Sequence, residues 1–165
     1  MEFALEKTLE VLVGEILRQR GLWLAVAESC TGGLISHRLT NVPGSSEYFM
    51  GGVTSYAYKA KVRLLGVSWE TLEKYGAVSP ETALEMARGV RTALVADVGI
   101  SVTGIAGPGG ATPQKPVGTT WIGISTPQEE YARHFHFLGD RLAVKEQAAQ
   151  SALELLVQHL QKDKV

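Results

Sequence analysis

The sequence holds a single cysteine, Cys30, in 165 residues. One thiol cannot close an intramolecular disulfide and leaves no C-x-x-C spacing for a metal, so a reducing, cytoplasmic setting is expected. No apolar run reaches membrane-spanning length, and Glu2, Glu6 and Glu10 interrupt the amino terminus where a signal peptide would stay apolar. A basic excess is missing as well. Sixteen Lys and Arg stand against 17 Asp and Glu, a formal net charge of −1, which removes the electrostatic case for nucleic acid as the main partner. Internal repeats and low-complexity linkers are absent too, so residues 1–165 are expected to form one domain, long enough to bury a core without staples.

What the chain does contain is an alternation of helical and strand patterns. Phe3, Leu5, Leu9, Leu12, Val13, Ile16 and Leu17 recur at helical spacing, with Gly21 as a stop. An apolar run from Leu22 to Val26 predicts a buried strand, and Leu34 to Leu39 can continue as a helix. Val53 to Tyr56 suits a short strand and Ala57 to Leu65 a brief helix. Ser68 predicts the start of another helix, Trp69 to Tyr75. Ser79-Pro80 predicts the start of a helix striped by Ala83, Leu84, Ala87, Val90 and Leu94. Val98 to Val102 reads as a strand, Thr119 to Thr126 and Tyr131 to Leu138 as a hairpin, and Asp140 as the cap of a last helix. The fold class is therefore α/β: a single three-layer domain with a mixed sheet, helices on both faces and a late β-hairpin.

The chemistry concentrates where predicted strands end, because ligands in open α/β sheets lie beyond the carboxyl ends of the strands. After the first strand comes Glu28-Ser29-Cys30-Thr31-Gly32-Gly33, a hydroxyl and a thiol at a strand-to-helix turn. The free backbone N–H groups of a helix start can face an oxyanion; equally, Ser29 or Thr31 can simply cap the helix. Ser29 and Cys30 compete as nucleophile, the thiol being intrinsically stronger and favoured if a helix N-terminus lowers its pKa. A base must also be found. His37 lies about two turns along the following helix and points away. A desolvated lysine can replace histidine, and Lys61, with Lys59 as the alternative, follows the second strand end at Tyr56. Thr103 and Gly104 end the third strand and open a loop rich in glycine and proline that includes Gly107 and Lys115; Lys115 and Arg141 can hold an anionic group. His134 and His136 share one face of the hairpin, but no third metal ligand is apparent.

Six segments taken together carry a family resemblance: A-E-S-C-T-G-G at 27–33, V-P-G-S-S at 42–46, G-A-V-S at 76–79, T-G-I-A-G-P-G-G at 103–110, K-P-V-G at 115–118 and G-D-R at 139–141. They span nearly the whole chain in order. The chain resembles the CinA carboxy-terminal domain family, in particular its stand-alone nicotinamide-nucleotide amidohydrolases. The resemblance implies hydrolysis of the carboxamide of nicotinamide mononucleotide to nicotinic acid mononucleotide and ammonia, with no metal and no cofactor. It also implies Ser29 as nucleophile, with Tyr56 and Lys61 as its catalytic partners. On that chemistry the backbone N–H groups of Cys30, Thr31, Gly32 and Gly33 are expected to hold the oxyanion, and Thr103, Gly104, Gly107, Lys115 and Arg141 to contact substrate, the last two at its phosphate end. The family's Y-S-N-x-A-K segment reads Tyr56-Ala57-Tyr58-Lys59-Ala60-Lys61 here, so Ala57 and Tyr58 replace its serine and asparagine. The expected partner is a small pyridine nucleotide, with neither membrane nor nucleic acid, and a homo-oligomer is expected through Phe49, Trp69 or the hairpin. The family's association with DNA uptake keeps open a non-catalytic nucleotide-binding or competence-associated module, and Cys30 keeps open a cysteine amidase.

Overall fold

The computed structural model describes residues 7–162; Phe3 and Leu5, assigned above to the first helix, lie outside them. Five strands form one open sheet in the order β2-β1-β3-β4-β5, with β1 spanning Leu24–Glu28, β2 Phe49–Thr54, β3 Val98–Gly104, β4 Thr119–Ser125 and β5 Glu130–His136. Strand β1 pairs in parallel with both β2 and β3, while β3–β4 and β4–β5 are antiparallel. The mixed sheet and the late hairpin thus stand as the pattern predicts. Strand β2 begins earlier than the sequence suggests, at Phe49, because Tyr48 to Gly52 pairs with β1 despite its two glycines.

Side-chain alternation along β1 divides the core into two layers. Leu24 and Val26 join Val98, Ile100, Val102 and the apolar sides of α1 (Leu9–Arg20), α2 (Leu34–Thr40) and α6 (Arg141–Lys162). Ala25 and Ala27 face the opposite layer, where α3 (Tyr58–Leu65), α4 (Trp69–Tyr75) and α5 (Pro80–Ala93) bring Leu65, Leu72, Met86 and Val90. The α5 side of the sheet is built of small residues, so that helix lies flush upon it: a Cβ on Gly99 would come within 2.2 Å of the Ala87 carbonyl oxygen. Ser101 Oγ donates to the Ala83 carbonyl at 2.6 Å in the same contact. Local signals place the helix starts as read. Ser68 accepts from Glu70 N–H and Ser79 from Thr82 N–H, while Asp140 Oδ1 accepts from Ala143 N–H at 2.9 Å. Gly21 ends α1 in the left-handed conformation.

One surface expectation changes, and the histidine pair stands on a solvated edge as read. Phe49 is not exposed; it packs against the larger core cluster, whereas Trp69 is exposed. His134 and His136 are exposed on edge strand β5, His134 beside the Trp121 ring and His136 with Nε2 3.0 Å from the Val117 carbonyl. No group of three metal-ligating side chains occurs among the described residues, and no helix among them is long and apolar enough to cross a membrane.

Candidate active site

Because β1 lies between β2 and β3, the turn that follows it is flanked by both neighbours. Ser29 N–H donates to the Val102 carbonyl at 3.1 Å, and Ser55 N–H donates to the Glu28 carbonyl at 2.8 Å. The three strand ends singled out by sequence therefore open into one cleft. Its walls include Ser29, Cys30, Tyr56, Lys61, Thr103, Gly104, Gly107 and Arg141, and its empty volume is about 600 Å3 with the open mouth included.

Lys61 enters from the first turn of α3. Side chains on a helix lean toward its N-terminus, so a lysine at this position reaches back over the end of β2. Lys59, two residues earlier, faces another direction and is exposed. Lys61 Nζ lies 2.9 Å from Ser29 Oγ, 2.6 Å from the Ser55 carbonyl oxygen and 3.4 Å from that of Tyr56. Only 1% of Lys61 and 8% of Ser29 is exposed. No carboxylate pairs with the amine among the described residues, and burial pulls its pKa down from 10.5 to about 8, with the Cys30 thiol opposing weakly. A serine hydroxyl thus shares a hydrogen bond with an amine that a neutral solution leaves appreciably unprotonated.

The turn itself differs from expectation. Neither Ser29 nor Thr31 caps α2, and Thr31 Oγ1 is buried without a hydrogen-bond partner among the described residues. The cap is Glu28, whose carboxylate accepts from Ile35 N–H at 2.9 Å and from Ser36 N–H and Oγ at 3.0 and 2.8 Å. Gly32 N–H donates to the Ser29 carbonyl at 3.1 Å and is withdrawn from any oxyanion role. The N–H groups of Cys30, Thr31 and Gly33 find no acceptor on another residue among those described, but of these Cys30 alone borders the cleft. Thr31, Gly32 and Gly33, expected there from sequence, line a separate hollow with His37 and Lys145, because the turn carries them round to the start of α2. Cys30 also departs from the reading. It lines the cleft beside Ser29, and burial pushes its thiol up to about 11 rather than the helix start lowering it. His37 is exposed on α2 and takes no part in the cleft walls.

The remaining candidates separate. Thr103 is buried and donates through Oγ1 to the Ala77 carbonyl at 2.7 Å, fixing the opposite wall, where Ala77 and Val78 face the cleft. Tyr58, the residue that departs from the family segment, accepts from Ala77 N–H at 3.3 Å and so ties α3 to that same wall. Lys115 is drawn away: its Nζ donates to the Tyr75 carbonyl at 2.6 Å, at the end of α4, and it does not line the cleft. Arg141 reaches the mouth from the start of α6. The sequence reading did not single out Ser55, Ala77 or Val78. Their contributions are a carbonyl and a surface, for which residue type gives no signal; the segment G-A-V-S is the one trace of the latter two.

Comparison with known proteins identifies the fold and the family. The chain is 52% identical over 156 residues to a CinA-like protein of Desulfotalea psychrophila, covering 94% of this chain and 38% of that one. A CinA-like protein of Salinibacter ruber is 52% identical over 147 residues, covering 89% and 36%. The chain therefore spans little more than a third of these curated relatives. Among solved structures, the competence damage-inducible protein A (ComA) from Klebsiella pneumoniae superposes with a TM-score of 0.91 at 33% identity, covering 94% of this chain and 97% of that one. The family model of the CinA C-terminal domain matches residues 6–160, and the chain belongs to that family.

Proposed function

We propose that this protein hydrolyses the carboxamide of nicotinamide mononucleotide, with Ser29 as nucleophile and Lys61 as base. The observation that carries the reading is the 2.9 Å contact between Ser29 Oγ and a buried lysine amine that has no carboxylate partner. In the neutral amine, the two N–H bonds are matched by the carbonyls of Ser55 and Tyr56, and the lone pair is left for the Ser29 proton. As that proton moves to Lys61, Ser29 Oγ bonds to the amide carbon. The oxyanion faces the backbone N–H of Cys30, the residue after Ser29 that borders the cleft, where one good donor is worth about 3 kcal/mol of barrier. Lys61 returns the proton to the leaving nitrogen, the C–N bond breaks and ammonia departs. Water then adds to the acyl-serine with Lys61 again accepting a proton, releasing the carboxylate and restoring Ser29. No step calls for a metal or cofactor. The buried dyad and membership of the CinA C-terminal family support this reading.

Ammonia release from nicotinamide mononucleotide tests it. Wild-type protein is expected to be active, and Ser29→Ala and Lys61→Ala are expected to lose at least about 1,000-fold in kcat. Cys30→Ala is expected to retain activity. Activity that survives Ser29→Ala but not Cys30→Ala would assign the reaction to the thiol, and no release by wild-type protein would favour a binding module.

A further inference from the structure

Tyr56 lines the cleft mouth with 59% of its surface exposed, and its hydroxyl does not join the Ser29–Lys61 pair. That hydroxyl accepts a 2.6 Å hydrogen bond from Nη2 of Arg141. Nη1 of the same guanidinium donates to the Gly107 carbonyl at 2.7 Å. Tyr56 approaches the lysine only through its backbone carbonyl, at 3.4 Å. Three elements far apart in sequence, the end of β2, the glycine-rich loop and the start of α6, thus converge on one guanidinium.

Resting on the amidase reading above, we infer that Tyr56 is a positioning residue that acts through Arg141. Its phenol oxygen and the Gly107 carbonyl hold the guanidinium at the rim as a receptor for the anionic end of the substrate, the phosphate monoester of a nucleotide. Its hydroxyl takes no part in proton transfer at Ser29.

Donor count and charge support this assignment. A guanidinium carries five N–H donors in a planar fork; two are spent on Tyr56 and Gly107, and three remain for the oxygens of a phosphate. Arg141 makes no ion pair among the described residues, and no carboxylate lines the cleft, so its charge is unmatched until an anion arrives. Lys115, the other cation proposed from sequence, is committed to Tyr75 outside the cleft. A long side chain normally gives up rotamer freedom when it grips a ligand. Two fixed acceptors remove that freedom beforehand, which is where Tyr56 contributes to affinity.

The experiment compares nicotinamide mononucleotide with nicotinamide riboside, which has the same ring and amide but no phosphate. For Tyr56→Phe, KM for the nucleotide is expected to rise about 5- to 10-fold, with kcat within twofold, an unchanged pH profile and unchanged kcat/KM for the riboside. Arg141→Ala is expected to lose more for the nucleotide, again sparing the riboside, and Tyr56→Phe added to Arg141→Ala is expected to lose nothing further. A fall in kcat on both substrates for Tyr56→Phe, or a displaced pH limb, would overturn the inference and return the hydroxyl to the proton relay. If wild-type protein hydrolyses neither compound, the amidase reading fails, and calorimetric binding of the same pair decides the inference. Weaker binding of the nucleotide alone to Tyr56→Phe upholds it, and equal binding by wild type and variant rejects it.

Discussion

Glu28 and Ser36 close the start of α2 upon the end of β1: Glu28 Oε2 accepts from Ser36 N–H at 3.0 Å and from Ser36 Oγ at 2.8 Å. With Ile35 N–H on the other oxygen, one buried carboxylate fastens both arms of the nucleophile turn. Removing it strands two backbone donors and a hydroxyl in the interior. Glu28→Ala is therefore expected to cost about 3 kcal/mol of stability, and Glu28→Gln, which retains one acceptor oxygen, about half that. Chemical denaturation of the two variants measures the difference, and equal stability of wild type and Glu28→Ala would remove Glu28 from this role.

Lys61 fixes the direction of pH dependence. Its pKa is lowered from 10.5 to about 8, so the neutral base becomes available as pH rises through 8. The kcat/KM profile is expected to climb on its acid side and level off above about 8. Stability follows the same proton. Between about 8 and 10.5 the unfolded chain keeps a proton that the folded chain has lost, so folding gains with pH in that window. Relative to Lys61→Met, wild type is expected to gain at most about 1.4 kcal/mol per pH unit across it. A stability difference that is flat over the window would show the amine to be solvated.

Cys30 shares the cleft yet is chemically quiet. With its thiol pushed up to about 11, its thiolate at neutral pH is scarcer than that of an ordinary cysteine of pKa 9.0. Alkylation by iodoacetamide at pH 7 is expected to run about 100-fold slower than that of a free cysteine. Mass spectrometry of the labelled protein checks this, and rapid labelling would reopen the thiol as nucleophile.

Gly104 leaves no room for a side chain. A Cβ there would lie 2.7 Å from Thr120 Oγ1 and 3.1 Å from both Cys30 Sγ and the Thr119 carbonyl oxygen. Gly104→Ala is expected to destabilise the fold by about 1–3 kcal/mol and, by pressing on Cys30 next to Ser29, to lower kcat as well. Thermal unfolding and steady-state rates give the two readouts, and wild-type values in both would show that the wall yields freely.

Much of this was legible in residue order because local rules fix it. Ser68, Ser79-Pro80 and Gly21 mark helix ends through hydrogen bonds that close within a few residues. Ser29 and Lys61 were legible as candidates because strand ends and lysine placement follow from periodicity. Their 2.9 Å contact depends on β1 and β2 becoming neighbours, which is a long-range event. What escaped was contributed by backbone or by competition. Glu28 outbids Ser29 and Thr31 for the cap, since a carboxylate with two oxygens satisfies two N–H groups where a hydroxyl satisfies one. The burial that raises the Cys30 thiol outweighs the nearby helix start. Lys115 found a carbonyl at the end of α4 that no spacing rule announces.

The antiparallel step between β3 and β4 has an evolutionary consequence. The segment between them leaves the sheet at Gly104 and re-enters at Thr119 on the same end, pinned by Ile105 N–H on the Thr119 carbonyl and Gly118 N–H on the Ile105 carbonyl. The first part of the segment, Ile105 to Gly110, forms the cleft rim, while its second part is tied elsewhere, Lys115 to the Tyr75 carbonyl and the Val117 carbonyl to His136. Side chains at the segment's exposed positions take no part in the β1–β2 pairing that sets Ser29 against Lys61, so exchanges there can change what the cleft admits while keeping how it reacts.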